Sequence, residues 1–458
     1  MFKILILSLL LPSVGFSFCG FFVSKADTAL FNKASKVIFV RDGNRTVMTV
    51  ASDYKGDTKD FAMIMPVPSI LQEGQIKVIS NKVIDHLDQY SAPRLVEYFD
   101  PDPCRKMMYK TMSMRGAPMA EATIGGSKKK RNKSLGVKVE ATYDIGEYKI
   151  LILSAKESGG LLTWLNENKY KLPAKAKPIL RSYIKQGLKF FVAKVNLEKF
   201  EKEGRSFLRP IRVAYESKRY TVPIRLGTIN ANGDQELFIF ALTKTGRVNS
   251  TNYQVVKLDS DKEVPLFVKK EFPQFYKDMF SEMVKKNGKN KLYLEYAWNM
   301  NWCDPCAADP LSSEELKEIG VFWSQSQPQV VRPTPRPGRP GVLPSPRIMP
   351  IPRGGGAAQV YITRLHTRYN SQSFPEDIQL QTTPDKTNFQ GRYILNNPWE
   401  GDKGQCEAAK NYFQDLTRRK ENRAKNVANL TGWNINDVRE KMNLSKKVIE
   451  KKKPWWKF

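Results

Sequence analysis

The stretch Lys36-Val-Ile-Phe-Val-Arg-Asp-Gly-Asn-Arg-Thr-Val-Met-Thr-Val-Ala51 decides the fold of the first part of this chain. Its two apolar runs, Lys36–Val40 and Thr46–Ala51, flank the polar tetrapeptide Arg41-Asp42-Gly43-Asn44. Apolar, β-branched runs on either side of an Asp-Gly pair predict a β-hairpin, because these turn residues tolerate the backbone angles of a tight reversal. The N-terminal part is therefore expected to begin with antiparallel strands.

Further strands and helices follow the hairpin without a regular alternation. Strands are predicted at Phe61–Val67, Tyr148–Leu153, Leu188–Val195, Arg219–Ile224, Leu237–Leu242 and Tyr253–Leu258. Helices are predicted at Lys82–Gln89, Gly160–Asn168, Ala174–Gln186, Pro273–Lys285 and Ser312–Ile319. Strands outnumber helices, which favours an α+β fold over a doubly wound parallel sheet. We predict a mainly antiparallel, β-rich N-terminal unit with helical insertions.

A proline-rich segment predicts a boundary near residue 340. Residues 328–353 hold nine prolines and five arginines and no carboxylate. Such a composition is typical of an extended spacer, although some proline-rich segments also dock to a protein partner. We therefore predict a main domain at residues 18–324, a Pro/Arg/Gly-rich linker at residues 325–357 and a smaller unit at residues 358–458.

The C-terminal unit is predicted to place strands before helices. Three antiparallel strands are expected at Val360–His366, Asp377–Gln381 and Gly391–Leu395, followed by helices from about Gln405 to Leu430 and from about Asn434. Gly432 is a typical helix stop. The two helices could suggest a DNA-reading pair, but the export predicted below favours an ordinary αα-hairpin packed on the strands.

The N-terminus predicts export. Lys3 precedes an apolar-rich run from Ile4 to Leu11, Pro12 ends the run, and Gly15 and Ser17 supply the small residues of a cleavage site. This is the pattern of a cleaved leader at residues 1–17. The run is too short for a membrane anchor, which needs about 20 apolar residues. We expect a soluble periplasmic or extracellular protein, with lipid attachment at Cys19 as the less favoured alternative.

The charge of the chain points to anionic partners. The formal net charge is +29, which in a cytoplasmic protein would suggest nucleic acid. For an exported protein we expect no nucleic-acid partner, but anionic envelope polymers or a membrane surface. The candidate contact residues are Lys128, Lys129, Lys130, Arg131, Lys451, Lys452, Lys453, Trp455 and Trp456. The alternatives are a mobile loop, a frayed tail and an ordinary solvated basic surface.

Signatures of known catalytic and cofactor sites are missing from the sequence. There is no phosphate-binding glycine loop, nucleophile elbow or zinc-protease motif, and the chain has only two histidines. His86 and His366 are interpreted as structural, since each stands alone on a predicted helix or strand. The carboxylate pairs Asp100/Asp102 and Glu376/Asp377 are too common to indicate catalysis. We predict no metal site, no cofactor and no catalytic residue.

The five cysteines are Cys19, Cys104, Cys303, Cys306 and Cys406. In an oxidising compartment they should pair, and the odd number leaves one thiol free, lipidated or bridging two chains. Cys303-Asp-Pro-Cys306 is interpreted mainly as structural, with either cysteine bonded to Cys104 or the two bonded to each other. A redox-active pair is the alternative, although its helix begins too late for a thioredoxin-like site.

Several longer motifs resemble the bacterial domain of unknown function 2330 family. They are Cys19-Gly-Phe-Phe22, Val40–Thr46, Asp60–Pro68, Ala92–Cys104, Trp302–Pro310, Phe374-Pro-Glu-Asp377, Thr387–Tyr393 and Leu430–Trp433. The resemblance runs from about Cys19 to about Met442. It implies an exported bacterial protein with a cysteine framework, and it implies no activity.

The favoured hypothesis is a non-enzymatic exported protein that binds in, or is a structural component of, the cell envelope. The rival hypothesis is a thiol-disulfide oxidoreductase that uses Cys303 and Cys306. A hydrolase based on carboxylates is a third hypothesis without a specific motif behind it.

Overall fold

The computed structural model describes residues 21–24, 31–55, 61–105, 138–155, 158–168, 170, 175–195, 208–230, 233–300, 309–323 and 359–444. The predicted leader, the predicted linker and both basic segments named above lie outside these ranges. The chain divides into two compact units, each assembled from separate segments. Unit 1 comprises Met1–Pro93, Val137–Leu258 and Lys289–Gly391, and unit 2 comprises Arg94–Gly136, Asp259–Gly288 and Arg392–Phe458.

Strands and helices are numbered in chain order. The strands are β1 (Phe21–Ser24), β2 (Phe31–Asp42), β3 (Arg45–Lys55), β4 (Phe61–Val67), β5 (Ile76–Val78), β6 (Arg94–Phe99), β7 (Lys138–Ile145), β8 (Tyr148–Ser154), β9 (Lys189–Val195), β10 (Ile211–Glu216), β11 (Thr221–Val222), β12 (Gln235–Thr243), β13 (Val248–Ser250), β14 (Gln254–Lys257), β15 (Lys262–Val264), β16 (Lys291–Asn299), β17 (Tyr361–Tyr369), β18 (Ile378–Thr382), β19 (Phe389–Gln390) and β20 (Arg392–Asn397). The helices are α1 (Asn81–Ser91), α2 (Ser158–Glu167), α3 (Ala176–Lys185), α4 (Ile224–Gly227), α5 (Val268–Asn287), α6 (Ser313–Ile319), α7 (Glu407–Thr431) and α8 (Ile435–Lys441). The α+β prediction is confirmed.

The predicted hairpin forms the centre of the larger sheet of unit 1. Strands β2 and β3 pair antiparallel, and Gly43 takes the positive φ of +58° that the turn needs. The strand order is β14-β16-β17-β12-β2-β3-β10-β5, and β19 also pairs with β16. Most pairs are antiparallel, whereas β2 with β12 and β14 with β16 are parallel.

A second sheet of unit 1 has the order β1-β4-β9-β8-β7, and a third, small sheet joins β11, β18 and β13. Successive side chains of β2 pack into two different hydrophobic cores. Val37 and Phe39 pack with residues of the second sheet, whereas Ile38 and Val40 pack with residues of α1 and α6. Residues of α2 and α3 cover the opposite face of the second sheet. Unit 1 is therefore a four-layer sandwich of helices, two sheets and helices.

This layering explains why the strands of unit 1 are almost continuously apolar. A strand that is buried on both faces cannot alternate apolar and polar residues, so its sequence reads as an apolar run. Val37, Ile38, Phe39 and Val40 are all fully buried, and β4 shows the same pattern. At about 25 cal/mol for each Å² of apolar surface removed from water, such strands contribute much of the stability of the unit.

Unit 2 contains a small parallel sheet with helices around it. Its strand order is β15-β20-β6, and both pairings are parallel. Helix α7 packs against α5, α8 and β15. The helix ends at Gly432, which adopts the left-handed conformation with φ of +74°, as predicted for a helix stop. None of the helices in the described part of the chain is long and apolar enough to cross a membrane.

The three strands predicted to open a C-terminal unit belong instead to three different sheets. Strand β17 lies between β16 and β12 in the larger sheet of unit 1, β18 pairs with β11 and β13, and β20 pairs in parallel with β15 and β6 of unit 2. The two predicted C-terminal helices are confirmed as α7 and α8. The residue pattern within a strand does not indicate which distant strand it pairs with. The sequence therefore predicted the strands but not their pairing partners.

Candidate functional site

Two of the predicted disulfide candidates are bonded to each other in the structure. Cys104 and Cys406 form a disulfide with a Cα–Cα distance of 5.9 Å and a sequence separation of 302 residues. The predicted pairing of Cys104 with Cys303 or Cys306 is therefore wrong, because unit 2 brings the segment after β6 to the start of α7. Cys19, Cys303 and Cys306 lie outside the described residues, as do all of the predicted basic contact residues.

A turn at residues 103–104 follows Asp102. Asp102 Oδ1 accepts a hydrogen bond from the Cys104 backbone N–H at 2.8 Å. Asp100 binds α7, since its carboxylate accepts hydrogen bonds from Tyr412 Oη at 2.7 Å and from Arg419. Burial opposes ionisation of Asp100, but the hydrogen bonds from Arg419 and Tyr412 lower its pKa below the ordinary value. Both carboxylates of this pair thus have structural partners in unit 2.

The two histidines also have structural partners. His86 on α1 contacts Glu315 Oε1 through Nδ1 at 2.7 Å and the Asp309 carbonyl through Nε2 at 2.9 Å. These contacts join α1 to the start of α6. His366 on β17 is 1 % exposed and lies between two carboxylates, with Nδ1 at 2.9 Å from Glu295 Oε1 and Nε2 at 3.7 Å from Glu236 Oε2.

His366 belongs to a buried ion network on the larger sheet of unit 1, which consists of Asp88, Glu236, Glu295, Arg364, His366 and Arg368. Glu295 is 0 % exposed and accepts a hydrogen bond from Arg364 Nε at 2.5 Å. Arg364 also contacts Asp88 of α1 at 2.5 Å, and Arg368 contacts Glu236 at 2.5 Å. The network therefore links three neighbouring strands to a helix.

A β-bulge positions the central carboxylate of this network. The register between β16 and β17 shifts between Leu294 and Tyr296, so that Glu295 is the extra residue. A bulge re-aims the side chain of the strand in which it occurs. The Glu295 carbonyl also accepts a hydrogen bond from the Gly391 N–H at 2.7 Å. The geometry places one buried acid where it contacts both Arg364 and His366.

The electrostatics of the network favour its charged form. Burial opposes protonation of His366, but the charges of Glu295 and Glu236 outweigh it and raise the pKa of the imidazole. Burial likewise opposes ionisation of Glu236, yet hydrogen bonding and the charges of His366 and Arg368 lower its pKa to about 2. Each of these charges faces an opposite charge, and breaking such a buried pair is strongly destabilising, so the geometry gives the network a structural role.

A pocket in unit 1 is the better place for a ligand. We name it the Asp377 pocket. It contains about 510 Å³ of space that protein atoms do not fill, and this figure includes open solvent. Its apolar walls are formed by Met48, Pro66, Pro68, Leu188, Tyr215 and Pro223. Asp377, Arg219 and Gln186 are among the polar residues that line it.

Asp377 is the buried acid of this pocket, with 8 % of its surface exposed. Its Oδ1 accepts hydrogen bonds from Tyr183 Oη at 2.8 Å and from the Arg225 N–H at 3.2 Å. Among the described residues, none donates a hydrogen bond to Oδ2. Burial raises the pKa of Asp377 above its ordinary value, although the hydrogen bond from Tyr183 opposes this shift. A raised carboxyl pKa in a cleft indicates a candidate binding group.

Arg41 of the hairpin turn holds one wall of the pocket. Its buried guanidinium donates hydrogen bonds to the carbonyls of Ser217 at 3.0 Å and Arg219 at 3.3 Å, and to Thr46 Oγ1 at 2.7 Å. The guanidinium also lies 4.8 Å from the centre of the Tyr220 ring. Arg41 therefore fixes the loop that carries Arg219 into the pocket.

Sequence reasoning missed the Asp377 pocket. The pair Glu376/Asp377 was considered too common to be informative, and its only distinguishing signal was its position in the motif Phe374-Pro-Glu-Asp377. Pro66 and Pro68 likewise belong to a motif that resembles a known family. Within the described ranges, no group of three His, Cys, Asp or Glu side chains is placed to hold a metal ion.

Comparison with known proteins gives one family. A family model described as an uncharacterized protein conserved in bacteria (DUF2330) matches residues 14–381. The match includes every residue of the Asp377 pocket and of the buried ion network, and it ends before α7 and α8. No curated protein and no solved structure matches the chain.

Proposed function

Since this chain belongs to the DUF2330 family of uncharacterised bacterial proteins, we propose that it is an exported binding or structural component of the cell envelope rather than an enzyme. The disulfide between Cys104 and Cys406 is the observation that carries this proposal. Disulfides persist in oxidising compartments and are rare in the bacterial cytoplasm, where thiols are kept reduced. The leader pattern at residues 1–17 supports the same location.

The experiment is a peptide map of the full chain after expression in a bacterium with a periplasm. We expect mature protein in the periplasm or the medium, with its N-terminus close to residue 18 and with the Cys104 and Cys406 peptides linked without reductant. Deleting residues 2–17 gives the control, in which both thiols should be alkylated in the cytoplasm. Uncleaved full chain in the cytoplasm, with both cysteines reduced, would refute the proposal.

The partner in this proposal is an anionic surface of the envelope. The net charge of +29 supports it, and the basic residues near the C-terminus stand beside Trp455 and Trp456. Each lysine near an anionic membrane contributes about 1 kcal/mol to binding. Replacing Lys451, Lys452 and Lys453 by glutamine is therefore expected to weaken co-sedimentation with phosphatidylglycerol vesicles by about 100-fold at low salt.

A control variant separates this local effect from net charge. Lys285, Lys410 and Lys425 have side chains that are 78 %, 54 % and 56 % exposed, and changing all three to glutamine removes the same charge. We expect this control to bind nearly as well as the wild type, and all binding to fall with salt. Equal losses in both triple variants would contradict a specific role for the C-terminal segment.

The second candidate function is a thiol-disulfide oxidoreductase. Because Cys104 is bonded to Cys406, Cys303 and Cys306 remain as a close pair in the sequence. Turnover of a disulfide substrate that is lost in both Cys303→Ala and Cys306→Ala would support this function. Turnover that survives both changes would exclude the pair as its source.

A further inference from the structure

We propose that the Asp377 pocket binds a small amine with an apolar body, of the class of apolar amino acids. The ammonium group would lie on Asp377 Oδ2, and the carboxylate of the ligand would pair with Arg219 at the edge of the pocket. This site is independent of binding to anionic surfaces, and it would stand even if the chain proved to be cytoplasmic.

The two carboxylate oxygens of Asp377 differ in their hydrogen bonding. Its Oδ1 is occupied by Tyr183 Oη and the Arg225 N–H, whereas Oδ2 accepts no hydrogen bond from the described residues. A buried carboxylate costs free energy unless it is paired and hydrogen-bonded. A ligand that brings a positive N–H donor to Oδ2 would offset this cost. An anionic ligand would increase it.

The apolar walls of the pocket select the body of the ligand. Pro66, Pro68 and Pro223 together with Leu188 and Tyr215 present carbon surfaces that cannot hydrogen-bond a hydroxyl-rich ligand. A sugar in this place would give up hydrogen bonds to water at every hydroxyl that faces these carbon surfaces rather than the polar residues of the lining. An aliphatic or aromatic side chain gains instead, at about 25 cal/mol for each Å² that it buries. The walls therefore favour an apolar body behind the amine.

Arg219 is the partner for the carboxylate of the ligand. Arg219 lines the pocket and is exposed, so its guanidinium is accessible from solvent. Among the described residues, this guanidinium makes one hydrogen bond, from Nη1 to Gln186 Oε1 at 2.9 Å. An arginine has five N–H donors, so enough remain for a two-point contact with a carboxylate. The hydrogen bond from Arg41 to the Arg219 carbonyl holds this wall in place.

The dependence of binding on pH supports the same ligand. Burial and the charge of Glu376 raise the pKa of Asp377, while the hydrogen bond from Tyr183 and the contacts with Arg225 oppose the shift, so this carboxyl takes up a proton at a higher pH than an ordinary aspartate. An ammonium group binds only the ionised form, so its affinity should decrease as the pH is lowered. A ligand without a positive charge would not show this decrease, or would show the opposite trend.

The experiment compares three probes that share a phenylethyl body: L-phenylalanine, 2-phenylethylamine and 3-phenylpropionate. Binding to the full chain is measured by isothermal titration and saturation-transfer NMR. We expect phenylalanine to bind most tightly, phenylethylamine next and phenylpropionate weakest. Asp377→Asn keeps an oxygen acceptor for Tyr183 and Arg225 but removes the charge, and it should weaken both amines by about 10- to 100-fold. Arg219→Gln should weaken phenylalanine alone.

Three results would overturn the proposal. One is phenylpropionate binding as tightly as phenylethylamine, and another is unchanged binding of phenylalanine to a folded Asp377→Asn protein. The third is no binding of any probe at millimolar concentration, which would make the pocket a packing gap. Should Asp377→Asn fail to fold, Arg219→Gln on the exposed edge still decides the matter, because equal effects on phenylalanine and phenylethylamine would contradict the assigned carboxylate contact.

Discussion

Glu295→Ala is expected to lower the free energy of unfolding by about 3–5 kcal/mol, because it leaves buried cations without their partner. The Glu295 side chain is 0 % exposed, and the two cationic groups that it contacts, Arg364 and His366, are 4 % and 1 % exposed. Neither cation can turn to solvent without disrupting the sheet. Urea unfolding at pH 6, followed by far-UV circular dichroism, measures the loss.

A triple variant provides the matched control for this prediction. Glu295→Met, Arg364→Met and His366→Phe together remove the three most buried charged groups of the network and fill most of the same space. Asp88 then keeps Lys36 as its partner, and Glu236 keeps Arg368. Replacing a whole buried ionic cluster by apolar residues is often close to neutral, whereas removing one member is costly. The triple variant should therefore lose much less stability than Glu295→Ala. A single variant within about 1 kcal/mol of the wild type would show that the network contributes little.

The loss of stability in Glu295→Ala is expected to depend on pH. The pKa of His366 is raised above 6.5, so protonated His366 stabilises the fold fully below this value, and the contribution is lost as the pH rises through the folded pKa. The pKa of Glu236 is lowered from 4.5 to about 2, so its contribution is present above 4.5 and is lost as the pH falls toward about 2. The network therefore stabilises unit 1 most between 4.5 and 6.5. We expect the loss from Glu295→Ala to be largest in that interval and smaller once the pH exceeds the folded pKa of His366.

The hairpin and the long strands of unit 1 could be predicted because their signals are local. The turn at Asp42-Gly43 needs a residue with positive φ, and the runs Lys36–Val40 and Phe61–Val67 are apolar on both faces because each strand lies between two layers. These causes act within a few residues of one another. The sequence pattern therefore reports them directly.

The order of the strands could not be predicted, because it depends on pairings between distant residues. Strand β17 follows the proline-rich segment, yet it pairs with β16 and β12 on the other side of that segment. A change in composition marks a spacer, and it does not say whether the chain returns to the same sheet. Asp377 was missed for a related reason, since its burial and its contact with Tyr183 depend on residues almost 200 positions away.

Removing the disulfide of unit 2 is expected to cause the second large loss of stability. Replacing Cys104 and Cys406 by serine is expected to lower the stability of unit 2 by about 2–4 kcal/mol. The three strands of this unit begin at residues 94, 262 and 392, so its sheet is held by contacts between segments that are far apart in the chain. A cross-link between the segment after β6 and the start of α7 reduces the freedom of the unfolded chain, and that freedom is large when contacts are non-local.

Hydrogen exchange measures this effect where it arises. In the double variant, amides of α7 and of β6 should exchange faster, by about 30- to 1,000-fold if exchange follows the opening of unit 2. Cys19→Ser is the matched control, because it makes the same chemical change without breaking this bond, and it should leave the exchange unchanged. Equal protection of α7 in the double variant and the wild type would show that Asp100, with its hydrogen bonds to Tyr412 and Arg419, holds this end of the helix without the disulfide. Faster exchange in the double variant, but not in Cys19→Ser, would show that the disulfide stabilises this end of the helix and that these polar contacts cannot replace it.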